Sequence, residues 1–266
     1  MRRRSTKSLL STALLFACRV AVGLEPIELN TDREAFTPST FAVDPGRVLV
    51  EGSQVYIDNR DGLPTNNYPE LIVRIGGSER LEWRLGFNYS VGSQGNVVTS
   101  VEAGELPIDG GTLYESNVLY GLKLATTEQD GWIPQSCFIM EATTPTFGQE
   151  FGTEPVATAV LGWELPANWR LDAALRYAYA ESDVTWFSRW GPSVVARIPL
   201  TERFEIHAEY FGTFTQGLLD DVNRPFFSPG GHVALSEHTE LGWRFGWGLT
   251  RDAANFFSDA GLAFRY

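Results

Sequence analysis

The sequence predicts an all-β fold: a transmembrane, antiparallel, up-and-down β-barrel of about twelve strands, with short periplasmic turns and longer extracellular loops. Three observations carry this expectation. Segments that alternate apolar and polar residues recur from residue 46 to residue 266, and the links between them alternate between short and long. The one sustained apolar stretch, Leu9 to Ala17, is too short to cross a bilayer as a helix. A chain that enters a membrane without such a helix must do so as a closed barrel, because every backbone polar group has to be satisfied away from water.

The N-terminus reads as an export signal. Arg2, Arg3, Arg4 and Lys7 form a basic region, Leu9 to Ala17 an apolar one, and Ala21-Val22-Gly23 supplies small residues for cleavage. Leu15-Phe16-Ala17-Cys18 is the competing lipoprotein reading, which the bulk of Phe16 disfavours. The expected organisation is a cleaved signal peptide over 1–23, a periplasmic or plug segment over 24–45 containing Pro26, Pro38 and Pro45, and a barrel over 46–266. Removing 1–23 takes away five basic and no acidic residues, and 16 basic against 33 acidic groups leave a formal charge of −17. So acidic a chain is a poor partner for nucleic acid. Cys137 is the only cysteine beyond that point, which excludes an internal disulfide and a cysteine-rich metal site.

The strands follow from period-two patterning. Leu81, Trp83, Leu85, Phe87 and Tyr89 alternate with Glu82, Arg84, Gly86 and Asn88. The same pattern runs through Trp169 to Tyr177, Phe204 to Tyr210 and Leu241 to Leu249. The rows end in Trp or Tyr, which suits the two interfacial belts of a membrane. Tight turns are expected at 76–79, 166–168, 201–202 and 236–239, with an intermediate one at 126–131. Long links are expected near 58–67, 91–111, 144–154, 181–187, 216–226 and 250–256.

The chain ends on Asp259-Ala260-Gly261-Leu262-Ala263-Phe264-Arg265-Tyr266, with an apolar row closed by an aromatic residue. This resembles the C-terminal strand of bacterial outer-membrane barrels, and the resemblance implies the outer membrane as location, its lipid as surroundings and the barrel-assembly machinery as a partner. A second likeness runs from about residue 31 to the C-terminus. Thr31-Asp32-Arg33-Glu34-Ala35-Phe36-Thr37, Val43-Asp44-Pro45-Gly46-Arg47, Leu71-Ile72-Val73-Arg74-Ile75-Gly76 and Arg80-Leu81-Glu82-Trp83-Arg84-Leu85-Gly86 resemble the MetA-pathway (phenol-degradation meta-pathway) family of outer-membrane transporters. That family implies uptake of small, often apolar or aromatic solutes and carries no catalytic residues.

If the apolar rows face lipid, the alternate rows face the lumen. The candidate pore-lining residues are Glu51, Glu70, Arg74, Glu82, Arg84, Arg170, Asp172, Arg176, Arg197, Glu205, His207, Glu209, Arg244 and Arg265, with Lys123, Glu141, Glu164 and His232 on the same rows. Charges buried without partners are costly, so these must be paired, hydrated or both. They form either a network that stiffens a filled interior or the lining of a pore. Trp186, Phe187, Trp190, Phe226 and Phe227 read as mouth or belt aromatics, and Asp220, Asp221 and Asp252 as a weak cation site. His207, His232 and His238 lie on polar rows or in a turn, and no Gly-x-Ser-x-Gly elbow occurs, which argues against a hydrolase. Glu205, His207 and Glu209 share a face, but neither a metal nor another cofactor is expected. The expected activity is passive passage of small solutes through a narrow, charged lumen. Its rival is a structural or adhesive barrel with a filled interior and partner-binding loops.

Overall fold

The computed structural model describes residues 29–33, 35–93, 95–100, 113–148, 152–181 and 185–266; the expected export signal and Glu34 lie outside them. Twelve strands form one closed antiparallel barrel. They are β1 (Val48–Asp58), β2 (Thr65–Gly76), β3 (Leu81–Gly92), β4 (Leu113–Thr127), β5 (Gln135–Phe147) and β6 (Glu154–Leu165), then β7 (Trp169–Glu181), β8 (Trp186–Pro199), β9 (Phe204–Gln216), β10 (Asn223–Ser236), β11 (Thr239–Gly248) and β12 (Phe256–Arg265). Each strand pairs with its sequence neighbours, and β1 closes on β12 from Leu49↔Arg265 to Asp58↔Phe256. Closure leaves no unpaired edge strand, so the ladder of backbone hydrogen bonds runs round the whole sheet.

The alternation read from sequence sets which row faces where. In β3, Trp83 and Leu85 are each 51% exposed, while the intervening Glu82 and Arg84 are buried. The same inversion runs round the barrel, with Tyr120, Met140, Leu175, Tyr210, Phe245 and Phe264 outside and Lys123, Glu141, Arg176, Glu209, Arg244 and Asp259 inside. An apolar exterior of this extent is unstable in water and natural in lipid. The barrel therefore spans a membrane.

One rim carries the links 77–80, 128–134, 166–168, 200–203 and 237–238, and the other carries 59–64, 93–112, 148–153, 182–185, 217–222 and 249–255. The first rim, next to the start of β1, is the periplasmic one by the usual barrel convention. Four links, expected over 58–67, 144–154, 181–187 and 216–226, are shorter than the sequence suggests. The β7–β8 ladder runs out to Glu181↔Trp186, and β10 starts at Asn223, paired with Phe214. Polar and small residues near these positions read as loop, yet the ladder continues through them because a strand's inward row tolerates both.

A charge on the outer row tests the assignment of faces. Leu85→Arg near mid-strand is expected to destabilise the folded barrel by about 2–4 kcal/mol in denaturant unfolding from lipid. The same change at exposed Leu219, in a link, is expected to have little effect.

Candidate functional site

The site is the lumen and the segment that runs through it. Residues 29–33 and 35–43 precede β1 and lie inside the ring of strands, with Asp32, Thr37 and Thr40 fully buried. The segment leaves over the end of β2. There Gly76 approaches the Val43 and Asp44 carbonyl oxygens so closely that any side chain would collide with them.

On the β1–β5 wall, three cations converge on one acid of the segment. Asp32 contacts Lys123 Nζ at 2.6 Å, Arg74 Nε at 3.5 Å and the Arg84 guanidinium. Arg74 also holds Glu51 at 3.1 Å and Glu82 at 2.8 Å, and Arg84 holds Glu141 at 2.6 Å. The segment's backbone completes the acids' hydrogen bonds. The Asp32 and Arg33 amides donate to Glu51, each at 2.9 Å, and the Val43 amide donates to Glu82 at 2.9 Å. Its carbonyls serve the cations in turn, with Lys123 donating to Ser39 and Phe41 and Arg74 donating to Asn30. Burial pushes the Asp32 carboxyl upward, but the charges of Arg74, Lys123 and Arg84 outweigh it and hold the group well below the usual carboxylate range.

Across the lumen, Arg33 reaches Asp259 on β12 at 2.9 Å, and Arg244 on β11 contacts Asp259 at 3.1 Å and Glu209 at 3.4 Å. Glu209 accepts from the Phe36 amide at 3.0 Å and from both the amide and hydroxyl of Thr37 at 2.7 Å. The Phe36 ring stacks on Phe211, which meets Phe226 and Phe257. Val97 and Val98, from the β3–β4 link, complete this apolar cluster. Arg244 donates to the Val98 carbonyl at 2.5 Å, and so ties that inward-folded link to β11.

The β7–β8 wall is different. Arg170 donates to Thr40 at 2.6 Å and sits 4.2 Å over the Phe41 ring, and Asp172 serves both Arg170 and Arg197. Higher up, Arg189 pairs with Glu154. Near the periplasmic rim, Glu205 and His232 lie 3.3 Å apart, with the His207 ring 6.4 Å from that of His232. Among the described residues, cavities of about 20, 10 and 10 Å³ lie between the segment and the walls, reaching from Arg84 and Glu141 round to Glu205, His232 and Glu240. Each has room for about one water.

Of the fourteen candidate lumen residues, Glu51, Glu70, Arg74, Glu82, Arg84, Arg170, Asp172, Arg176, Glu205, His207, Glu209 and Arg244 are buried on inward rows. Arg197 is inward at the periplasmic end, and Arg265 lies at that rim, donating to the Glu237 carbonyl. Glu164 also sits at the rim and is exposed. Glu205, His207 and Glu209 do not converge on one point, since Glu205 turns to His232 and Glu209 to the segment. Asp221 and Asp252 accept bonds from the Leu218 and Asn223 amides. Phe187 and Phe226 are interior, whereas Trp186, Trp190 and Phe227 face outward. Sequence reasoning missed Arg189, Glu154 and the inward aromatics Phe211 and Phe257. Their row parity was the available signal.

No protein-family model matches the chain, and no curated protein does. Solved structures do. The COG4313 outer membrane channel from Pseudomonas putida F1 is 11% identical and aligns over 85% of this chain and 98% of its own, with a TM-score of 0.60. The NanC porin, 11% identical, covers 82% of this chain and 98% of its own at a TM-score of 0.52. The fold is that of an outer-membrane β-barrel. The translocator domain of the autotransporter NalP from Neisseria meningitidis shares it too, at 10% identity, covering 98% of this chain and 97% of that domain, with a TM-score of 0.52. Outer-membrane barrels of such different kinds share walls, so what distinguishes this one must be sought in its lumen.

Because the folded Asp32 pKa lies below its unfolded value, its contribution is complete at neutral pH. It is lost only as pH falls below the ordinary aspartate range, near pH 4, towards the depressed value. Hydrogen exchange of the peptide covering 29–43 is therefore expected to stay slow from neutral to mildly acid pH and to quicken only in strong acid. Asp32→Asn leaves three buried cations short of a partner, a loss of about 3–5 kcal/mol. It is expected to speed that exchange at every pH while exchange in the β7 and β8 backbone stays slow.

Proposed function

We propose that this barrel passes small molecules passively across the outer membrane and that residues 29–43 act as the plug that regulates passage. The observation that supports this most is the chemistry holding the segment. It is bound by ion pairs and hydrogen bonds to a charged wall, whereas a barrel selected only for stability would be filled as well, or better, by apolar side chains. A polar seat is one that water and a solute can take over. By its resemblance to the MetA-pathway transporters, the barrel's solutes are small and apolar or aromatic. The cluster of Phe36, Phe211, Phe226 and Phe257 offers such a solute an interior surface. In the same reading, residues 1–23 are removed after export, and the C-terminal strand is what the assembly machinery engages.

The rival reading, a structural or adhesive barrel, is favoured by the water-sized cavities found among the described residues around the seated segment. Planar-bilayer conductance separates the two. Glu209→Ala removes the acceptor of Phe36 and Thr37 and is expected to raise conductance over the wild-type chain. An added Cβ at Gly162 would lie 3.0 Å from Thr40 Cγ2, close enough for a Thr40→Cys/Gly162→Cys pair to form a disulfide if the Asp172 carboxylate tip gives way. Oxidising that pair is expected to lower conductance and a reductant to restore it, with Gly162→Cys alone insensitive. If wild type and Glu209→Ala are folded, heat-modifiable barrels and both stay silent, the channel reading is wrong and the rival stands.

A further inference from the structure

Two stretches of chain from opposite rims meet inside this barrel. The segment before β1 enters from the periplasmic rim, and residues 95–100 of the β3–β4 link enter from the extracellular one. Asn96, Val97 and Ser100 are buried, and Val98 and Thr99 completely so. A link that only joined two strands would run over the surface, where water serves its backbone.

The outer end of these residues is fastened at the mouth. Asn96 Nδ2 donates to Asn59 Oδ1 at 2.8 Å, and Asn96 Oδ1 accepts from the Ala254 amide at 3.1 Å. That one side chain ties the link to those before β2 and before β12. Arg224, at the start of β10, donates to the Gly95 carbonyl and, at 3.0 Å, to the Asp252 carbonyl. The inner end meets the segment. Ser100 Oγ donates to the Asp32 carbonyl at 3.1 Å, and Val97 and Val98 share the apolar cluster of Phe36.

Arg244 stands at the junction, fully buried on β11. Its Nη2 donates to the Val98 carbonyl at 2.5 Å, while Nη1 contacts Glu209 at 3.4 Å and Nε contacts Asp259 at 3.1 Å. Those two carboxylates hold the segment, Glu209 at Phe36 and Thr37 and Asp259 at Arg33. A guanidinium is a rigid planar fork whose donors cannot be aimed one at a time. When Val98 withdraws, the fork turns as one body, and its hold on Glu209 and Asp259 changes with it.

We infer that residues 95–100 are the extracellular half of a two-part plug, and that Arg244 couples the halves, so that drawing the link outward loosens the segment at Phe36 and Thr37. The coupling runs through a continuous set of buried contacts from the mouth to the segment. It is reciprocal, so loosening the segment also loosens the link. This inference rests on reading the segment as a plug and adds the control of that plug from outside the cell.

The test is hydrogen exchange of the full chain in lipid nanodiscs. The Phe36 and Thr37 amides, which donate to Glu209, report the middle of the segment, and the Asp32, Arg33 and Val43 amides, which donate to Glu51 and Glu82, report its ends. Asn96→Ala and Arg224→Gln cut the fastenings at the mouth, and among the described residues neither side chain bonds to the segment. Each, verified as a heat-modifiable barrel, is expected to quicken exchange at 36–37 by about fivefold or more, the low end of coupling between sites. The amides of Asp32, Arg33 and Val43 are expected to stay slow. Glu209→Ala is expected in turn to quicken exchange across 95–100. Should neither rim variant fold, the wild type decides, because the link and the 36–37 amides must then open together, with one denaturant slope, apart from the ends. A link that quickens alone, or that opens with a slope different from that of 36–37, overturns the inference. So does equal quickening at the ends, which is general loosening rather than coupling. Conductance tests the channel and exchange tests the coupling, so the two readings can fail separately.

Discussion

The rest of the structure depends on how this barrel disposes of the charges that closure turns inward. Once β1 pairs with β12, the polar row of every strand faces a confined space, and Arg74, Arg84 and Lys123 lose access to bulk water. Their own wall supplies Glu51, Glu82 and Glu141, which balance charge but not hydrogen bonding. The segment before β1 resolves both deficits. Asp32 sits among all three cations, while the amides of Asp32, Arg33 and Val43 occupy carboxylate lone pairs and the carbonyls of Asn30, Ser39 and Phe41 occupy donor hydrogens. A buried ion pair earns its desolvation only when such additional bonds are made. The segment and the wall are therefore one network.

The lumen is built asymmetrically around that network. The β1–β5 wall is an ion-paired surface, the β9–β12 wall joins one charged bridge to an aromatic cluster, and the β7–β8 wall is small and arginine-rich. Each chemistry recruits a different part of the segment: Asp32 to the first, Phe36 and Thr37 to the second, Thr40 and Phe41 to the third. A single short stretch of chain thus touches every side of the barrel, and its sequence, Thr31 to Phe41, reads as alternating instructions to different walls.

Much of this was legible in advance. Period-two alternation fixed the faces of β3, β7, β9 and β11, because a row that must meet lipid tolerates no charge and its neighbour therefore carries them all. Hence twelve of fourteen candidate lumen residues are buried inward. What alternation does not encode is an inward aromatic. Phe211, Phe226 and Phe257 break the apolar-out rule, since a lumen filled by chain of its own can hold apolar groups as a soluble core does. Phe226 and Phe227 are adjacent, and only the ladder Phe226↔Phe211 and Phe227↔Tyr210 decides which of them turns in. Nor could the partners of Asp32 be read from sequence. They come from β2, β3 and β4, and which of these polar-row charges meet the segment depends on how a non-repetitive stretch folds.

The way the segment is fastened indicates which part of it can move. Its two ends are held by the same cations: Asp32 by Arg74, Arg84 and Lys123, and Phe41 through its carbonyl by Arg74 and Lys123. Between them the chain crosses to β9 and returns, and its described turning point, Phe36 and Thr37, is secured by the Glu209 carboxylate and one aromatic stack. Releasing the ends requires parting several buried charges at once. Releasing the tip requires replacing three hydrogen bonds donated to Glu209 and one ring contact. The strongly held ends keep the segment registered in the barrel.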